Sequence, residues 1–263
     1  MASTTSRTPA GRDPRALVAL LLGTSGLAWF ALWRWGASPY VHYVHHAHLH
    51  PAPTDSGWLA AMVFVTGWTL MTVAMMLPIS ATLLGIFARV TRARSDSAFL
   101  VTLVIAGYLA GWAAFGLLAY AGAVWFREAS ARSPWLSENG WLLGAATLLL
   151  AGAYQFSALK YRCLDRCRSP QSFVAEHWTG QRPRQQALWL GLHHGLFCVG
   201  CCWTLMLLMF PFGAGNLGWM LVLGSVMALE RNLSWGKRLG KLVGVALLVA
   251  GVGVTLRLDS HLW

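Results

Sequence analysis

From His193 the chain reads His193-His194-Gly-Leu-Phe-Cys198-Val-Gly-Cys201-Cys202-Trp203-Thr-Leu-Met206-Leu-Leu-Met209. Three thiols, an imidazole and two thioethers are thereby concentrated in one apolar run long enough to cross a bilayer. Lipid offers no ligand of its own, and soft sulfur donors suit Cu(I) better than any hard cation. On a helix turning about 100° per residue, His194, Cys198, Cys201, Cys202, Met206 and Met209 fall within an arc of roughly 140°. From His194 to Met209 that face rises about 22 Å at 1.5 Å per residue, most of the ~30 Å thickness of hydrocarbon. These six are candidate metal ligands, with Met71, Met75 and Met76 of a second apolar run as candidates opposite them. Free cysteine and methionine also pack as ordinary hydrophobes. What favours ligation is three cysteines within five residues, continued on the same face by His194 and Met206.

The elements that must position these groups are membrane helices. Hydrophobic residues are 56% and charged residues 11% of 263, and apolar runs of spanning length recur along the whole chain. The expected fold is all-α, a transmembrane bundle of about seven spans near Ala16 to Trp35, Trp58 to Ala88, Ala98 to Phe126, Gly140 to Leu159, Ala187 to Phe210, Leu217 to Trp235 and Leu242 to Leu256. Pro78 should kink the second span. Residues 1–15 form an inner tail, 16–257 one helical domain and 258–263 an outer tail. The first span follows basic residues but lacks a small-x-small cleavage site, and Trp29, Trp33 and Trp35 suit an outer interface, so it reads as a mature helix.

Sixteen of the twenty lysines and arginines fall in segments that this topology places inside, leaving Arg34, Arg127, Arg132 and Arg257 outside. The positive-inside rule then sets the amino terminus inside and the carboxyl terminus outside a bacterial-type inner membrane. It also accounts for the net charge of +11 without a nucleic-acid partner, since basic loops can touch anionic headgroups.

Two loops carry further donors. The outer loop, 39–57, holds His42, His45, His46, His48 and His50; extended or helical, it can present two or three imidazoles to Cu(II), Zn²⁺ or Ni²⁺. The inner loop, 160–186, holds Cys163 and Cys167, four apart and on one helical face, where Arg166 and Arg168 would favour thiolates. Two cysteines alone do not close a tetrahedral zinc site. Both sets are candidate accessory metal sites, beside the ordinary alternatives of a titrating polar loop and buried structural thiols. Glu230, beside Arg231 at the inner end of the sixth span, is a candidate for proton coupling or an interfacial ion pair.

The residues Trp68-x-x-Met71-x-x-Ala74-Met75-Met76-x-Pro78, Tyr154-Gln155 through Lys160 and Cys163 to Cys167-Arg168-Ser169-Pro170, and Cys198-x-Gly200-Cys201-Cys202-Trp203-x-Leu205-Met206-x-x-Met209-Phe210 with Asn216, Trp219-Met220 and Glu230 resemble an uncharacterised domain family described as predicted metal-binding integral membrane proteins. The resemblance runs from about Trp58 to Glu230. It implies metal binding in the membrane and supplies no substrate or reaction. Departures are Gly215 for a methionine, Ala158 for a proline and Arg231 for a lysine.

The reading is a multi-pass protein that binds a soft transition metal, Cu(I) foremost, and moves it or hands it over by ligand exchange, with a metallochaperone or metalloenzyme as a further partner. The residues argue more for binding than for enzymatic catalysis. No G-x-x-x-x-G-K-[ST] motif supplies ATP chemistry. Competing readings are a membrane thiol redox enzyme, a haem-linked enzyme and a non-catalytic assembly factor for a metalloenzyme. Haem is disfavoured because His193, the nearest second imidazole, faces about 100° from His194.

The outer loop generates a test. Replacing His42, His45, His46, His48 and His50 by alanine should weaken metal capture from outside, most clearly above about pH 6.5, where imidazole is neutral and able to coordinate. Unchanged uptake at low external copper would exclude the loop from capture.

Overall fold

Apolar runs leave the backbone no solvent to bond with, so each run must satisfy its own N–H and C=O groups as a helix. The computed structural model describes residues 14–36, 57–212 and 216–259, and every regular element among them is helical. In order these are α1 (Pro14–Gly36), α2 (Gly57–Met75), a 3₁₀ turn (Pro78–Ser80), α3 (Ala81–Thr91), α4 (Ser97–Arg132), α5 (Pro134–Glu138) and α6 (Trp141–Tyr154). They continue as α7 (Ala158–Arg168), α8 (Pro170–His177), α9 (Pro183–Leu207), α10 (Met209–Phe212), α11 (Leu217–Asn232) and α12 (Gly236–Asp259). The His-rich stretch from His42 to His50, both tails and Gly215 lie outside the described residues.

Local chemistry sets the boundaries. Pro134, Pro170 and Pro183 open α5, α8 and α9 at the first turn, where a missing N–H costs nothing. The Ser157 hydroxyl accepts from the Lys160 N–H at 3.1 Å to cap α7, and Asn216 Oδ1 accepts from the Trp219 N–H at 3.0 Å to cap α11. Pro78 ends the second span's first helix: α2 stops at Met75, and the Met76 and Leu77 N–H groups both bond the Thr72 carbonyl. Ala158, a departure from the resemblance, is the first residue of α7, a position that proline and alanine both suit.

Five helices are long and apolar enough to cross a membrane: α1, α2, α4, α9 and α12. They correspond to the first, second, third, fifth and seventh expected spans. The fourth is broken, because α6 and α7 meet at 65° around Gln155 to Ser157. The sixth is α11, which ends at Asn232 instead of continuing to Trp235, with Leu233 extended. The basic stretch expected as an inner loop is built mainly of α7 and α8, joined to α9 by a turn in which Gly180 has φ of 80°.

The centre of the bundle is α9, whose principal neighbour is α4, followed by α7; α6 packs on α12, and α2 on α4 and α1. Glycines make the central contact. A Cβ at Gly191 would collide with the Val104 backbone, one at Gly107 with the Leu188 carbonyl, and one at Gly195 would lie 2.7 Å from the Tyr108 carbonyl oxygen. Gly191 and Gly195 are where α9 admits the α4 backbone. On the outward faces Leu20, Leu27, Leu118, Trp125, Leu242 and Val249 are exposed.

Because the obstruction at Gly191 is backbone, it cannot be relieved by a rotamer change. Gly191→Ala should destabilise by about 1–3 kcal/mol, as overpacking generally does. Gly122→Ala on α4, where a Cβ meets nothing within 4 Å, should be neutral or slightly stabilising through helix propensity. Thermal unfolding of both variants in detergent checks the contrast.

Candidate metal centre

All five cysteines are free and buried, three on α9 and two on α7, which packs against it. The Sγ atoms of Cys198, Cys201 and Cys202 all lie within 4.8 Å of one another, on side chains 1%, 7% and 3% exposed. Helical spacing alone brings them together, since 198, 201 and 202 share one face. Both Cys201 and Cys202 donate to the Cys198 carbonyl, at 3.1 and 2.9 Å.

The other two cysteines arrive by folding. The 65° break before α7 turns that helix back onto α9, where buried Cys167 comes near Cys198 and Cys201. Cys163 packs over Gly200, where a Cβ would lie 2.6 Å from its sulfur. The pair read as a loop site thus packs against α9 beside the three thiols, outside the group whose sulfurs lie within 4.8 Å of one another. Arg166 and Arg168, expected to favour those thiolates, are engaged elsewhere. Arg166 pairs with Glu176 at 2.5 Å, and Arg168 donates to the carbonyls of Glu230 and Leu233 at 3.0 and 2.6 Å, closing the end of α11.

The cation that faces the cluster is Arg231. Its Nη2 lies 2.8 Å from His194 Nε2, and its Nη1 lies 3.4 Å from Ser80 Oγ and 3.9 Å from Cys198 Sγ. A guanidinium only donates, so His194 Nε2 accepts and the imidazole proton sits on Nδ1, which is buried without a partner. His194 is thus held by Arg231, and serving as a ligand through Nε2 requires Arg231 to release it. Arg231 forms no salt bridge with a carboxylate among the described residues. A buried cation needs negative charge nearby, and the sulfur cluster is what its geometry offers.

Tyr108 completes the inner shell. Its hydroxyl lies 3.2 Å from Cys198 Sγ and 3.4 Å from the Met76 carbonyl oxygen. The carbonyl only accepts, so the phenol can donate there while accepting from the thiol, or donate to the sulfur instead. It therefore suits Cys198 with and without a proton.

Met206, Met209, Met71, Met75 and Met76 are all buried in the same core. Met75 fills the space over Gly224 of α11, where a Cβ would lie 3.2 Å from its methyl. Toward the other end of the bundle Trp68 packs against Phe210 and Trp112 with ring centroids 6.0 and 6.4 Å apart, and its indole donates to the Trp112 carbonyl at 3.1 Å.

Glu230 and Arg231 do not form the pair their adjacency suggested. Neighbours on a helix diverge by about 100°, and Glu230 turns instead to Lys160, whose Nζ lies 2.7 Å from Oε2. Lys160 also donates to the Gln155 side chain. Both charged side chains are almost fully buried. Sequence reasoning missed Arg231, Ser80 and Tyr108 as neighbours of the thiols. The rarity of arginine in apolar helices was the one available signal for the first; nothing local marks the other two.

Removing one member of a buried ion pair leaves the other uncompensated. Glu230→Gln should lower stability by about 3–5 kcal/mol. Combining it with Lys160→Met should recover most of the loss. Melting temperatures of the single and double variants in detergent check this, and additive losses would contradict the pairing.

The donor set fits copper: three mutually close thiols in a buried core match a soft monovalent ion, and among the described residues no carboxylate joins them. A family model described as PpoB2, copper chaperone, matches residues 65–254, from α2 into α12. No curated protein and no solved structure matches the chain. With that match covering well over half its length, the chain belongs to the PpoB2 copper chaperone family.

Proposed function

We propose that this protein is an integral membrane copper carrier that holds Cu(I) between Cys198, Cys201 and Cys202 and passes it on by ligand exchange. The observation that carries the reading is the buried thiol triangle, with its sulfurs within 4.8 Å of one another. Two thiolates around one Cu(I) leave a single negative charge, which Arg231 balances. Copper is the cargo. Cys163 and Cys167 on α7 are accessory thiols for its arrival or departure, and Met206 and Met209 continue the path along α9 and α10. Met71, Met75 and Met76 line the opposite side, and His194 becomes a ligand when Arg231 releases it.

The topology in this reading has seven crossings with the amino terminus inside, the orientation resting on the distribution of lysine and arginine. Five have the length and composition, and the bent α6–α7 pair supplies a sixth. With 16 residues, α11 covers about 24 Å, short of the ~30 Å core, so it crosses where the bilayer thins or flanking residues extend it. In this orientation the Lys160–Glu230 pair lies near the inner end of the bundle, where Glu230 is placed to couple a proton to copper movement. The His-rich outer loop would capture metal before it enters, and a metallochaperone or a metalloenzyme would exchange it at either end.

Anaerobic purification in mild detergent followed by metal analysis tests the centre. Replacing Cys198, Cys201 and Cys202 together by serine should abolish tight sulfur-bound copper while the protein still inserts and unfolds cooperatively. In the unaltered chain, bound copper should protect these thiols from alkylation, whereas a disulfide-exchange enzyme would keep reactive thiols after metal removal. A triple variant that retains a full equivalent of sulfur-bound copper would overturn the reading.

A further inference from the structure

The fold brings together a second set of metal-ligating side chains. His177, at the end of α8, and His193, on α9, have ring centroids 5.3 Å apart at an interplanar angle of 76°. With Gln181, Arg182, Gln185 and Trp189 they line a pocket of about 400 Å³ at the polar start of α9. His193 follows its own face of the helix, about 100° from His194, and its partner comes from a different helix.

His177 is set up as a ligand. Its Nδ1 lies 3.0 Å from the Phe173 carbonyl oxygen, which can only accept, so the proton is on Nδ1 and the lone pair is on Nε2. An imidazole fixed through its other nitrogen to a backbone carbonyl is the usual support of a metal-bound histidine. Phe173 stacks on the ring at 4.4 Å and 20° and holds its plane. The His193 ring packs 5.6 Å from Trp189, and no hydrogen bond holds it among the described residues. Phe173 also meets buried His194, at 5.5 Å. The pocket is therefore one side chain away from the group that Arg231 holds beside the thiols.

We infer that His177 and His193 form a second copper site, a two-imidazole station for Cu(I) through which metal reaches or leaves the thiol cluster; this rests on the copper-carrying reading. With a metal–nitrogen bond of about 2.0 Å, a bis-imidazole ion separates the ring centroids by roughly 5–6 Å as the angle at the metal opens from about 110° to 180°. The observed 5.3 Å falls at the bent end, which leaves a third position open. Ligand exchange needs that position, for a Gln181 or Gln185 amide oxygen or for a donor from an incoming carrier. Among the described residues no carboxylate or thiol lines the pocket, so two neutral nitrogens leave a monovalent ion with less uncompensated charge than a divalent one. Arg182 is exposed, where solvent screens its charge.

The test uses the full chain with His42, His45, His46, His48 and His50 replaced by alanine and all five cysteines replaced by serine. Cu(I) is titrated anaerobically against a chromogenic chelator, and X-ray absorption reads the ligands. One equivalent bound by nitrogen alone, with imidazole scattering, is expected, and His177→Ala or His193→Ala should each weaken it by at least roughly tenfold. A chain that binds no Cu(I), or whose Cu(I) is indifferent to both substitutions, overturns the site. Should that chain fail to fold, carbethoxylation of the unaltered protein decides: Cu(I) should protect His177 and His193, and unprotected rings overturn the site. Copper kept by the thiols of a His177→Ala/His193→Ala chain, with none on the thiol-free chain, would refute this station and leave the thiol centre standing. Copper unaffected by thiol substitution but lost on His177→Ala would do the reverse.

Discussion

A guanidinium buried among apolar helices is tolerated only if something nearby answers its charge. Arg231 has no carboxylate there among the described residues. It has a histidine acceptor, a serine hydroxyl and the sulfur of Cys198. Much of the surrounding structure follows from holding that cation against the thiols. The 3₁₀ turn after α2 delivers Ser80, and α4 delivers Tyr108 to the other side of Cys198. A copper–thiolate unit would bring negative charge to the place where Arg231 holds its positive one.

Holding α11 in register is the work of a second buried charge pair. Lys160 reaches Glu230 from α7, and Arg168 from the same helix closes the carboxyl end of α11. One short helix thus aims Arg231, by fixing its neighbour, and also supplies Cys163 and Cys167. The break between α6 and α7 is what permits both. A straight continuation of α6 would carry these basic residues and thiols away from the core. Such irregular backbone inside a bundle is tolerated where protein surrounds it, and here α9 and α12 do so.

The tight seam between α4 and α9 is the mechanical counterpart of this charge pattern. Backbone contact across Gly107, Gly191 and Gly195 leaves neither helix room to slide. Helices without a hydrophobic drive toward one another in lipid associate through small residues of this kind. The thiols follow Gly195 on the same helix, within about two turns of that seam.

By itself the sequence determined the helical class, most of the span positions, the break at Pro78 and the convergence of Cys198, Cys201 and Cys202, because hydropathy, proline geometry and helical period act within a few residues. It also singled out Glu230 as a charge in an apolar helix, for the same local reason. Only the tertiary structure decided the partners. Lys160 and Glu230 stand 70 positions apart, His194 and Arg231 37, and Tyr108 and Cys198 90; no period reaches so far. Adjacency even pointed the wrong way for Glu230 and Arg231, since neighbours on a helix diverge and each side chain answers to the helix it faces. Cys163 and Cys167 came to lie against α9 because α7 turns back by 65°, and which helix that turn meets is a matter of packing between distant segments.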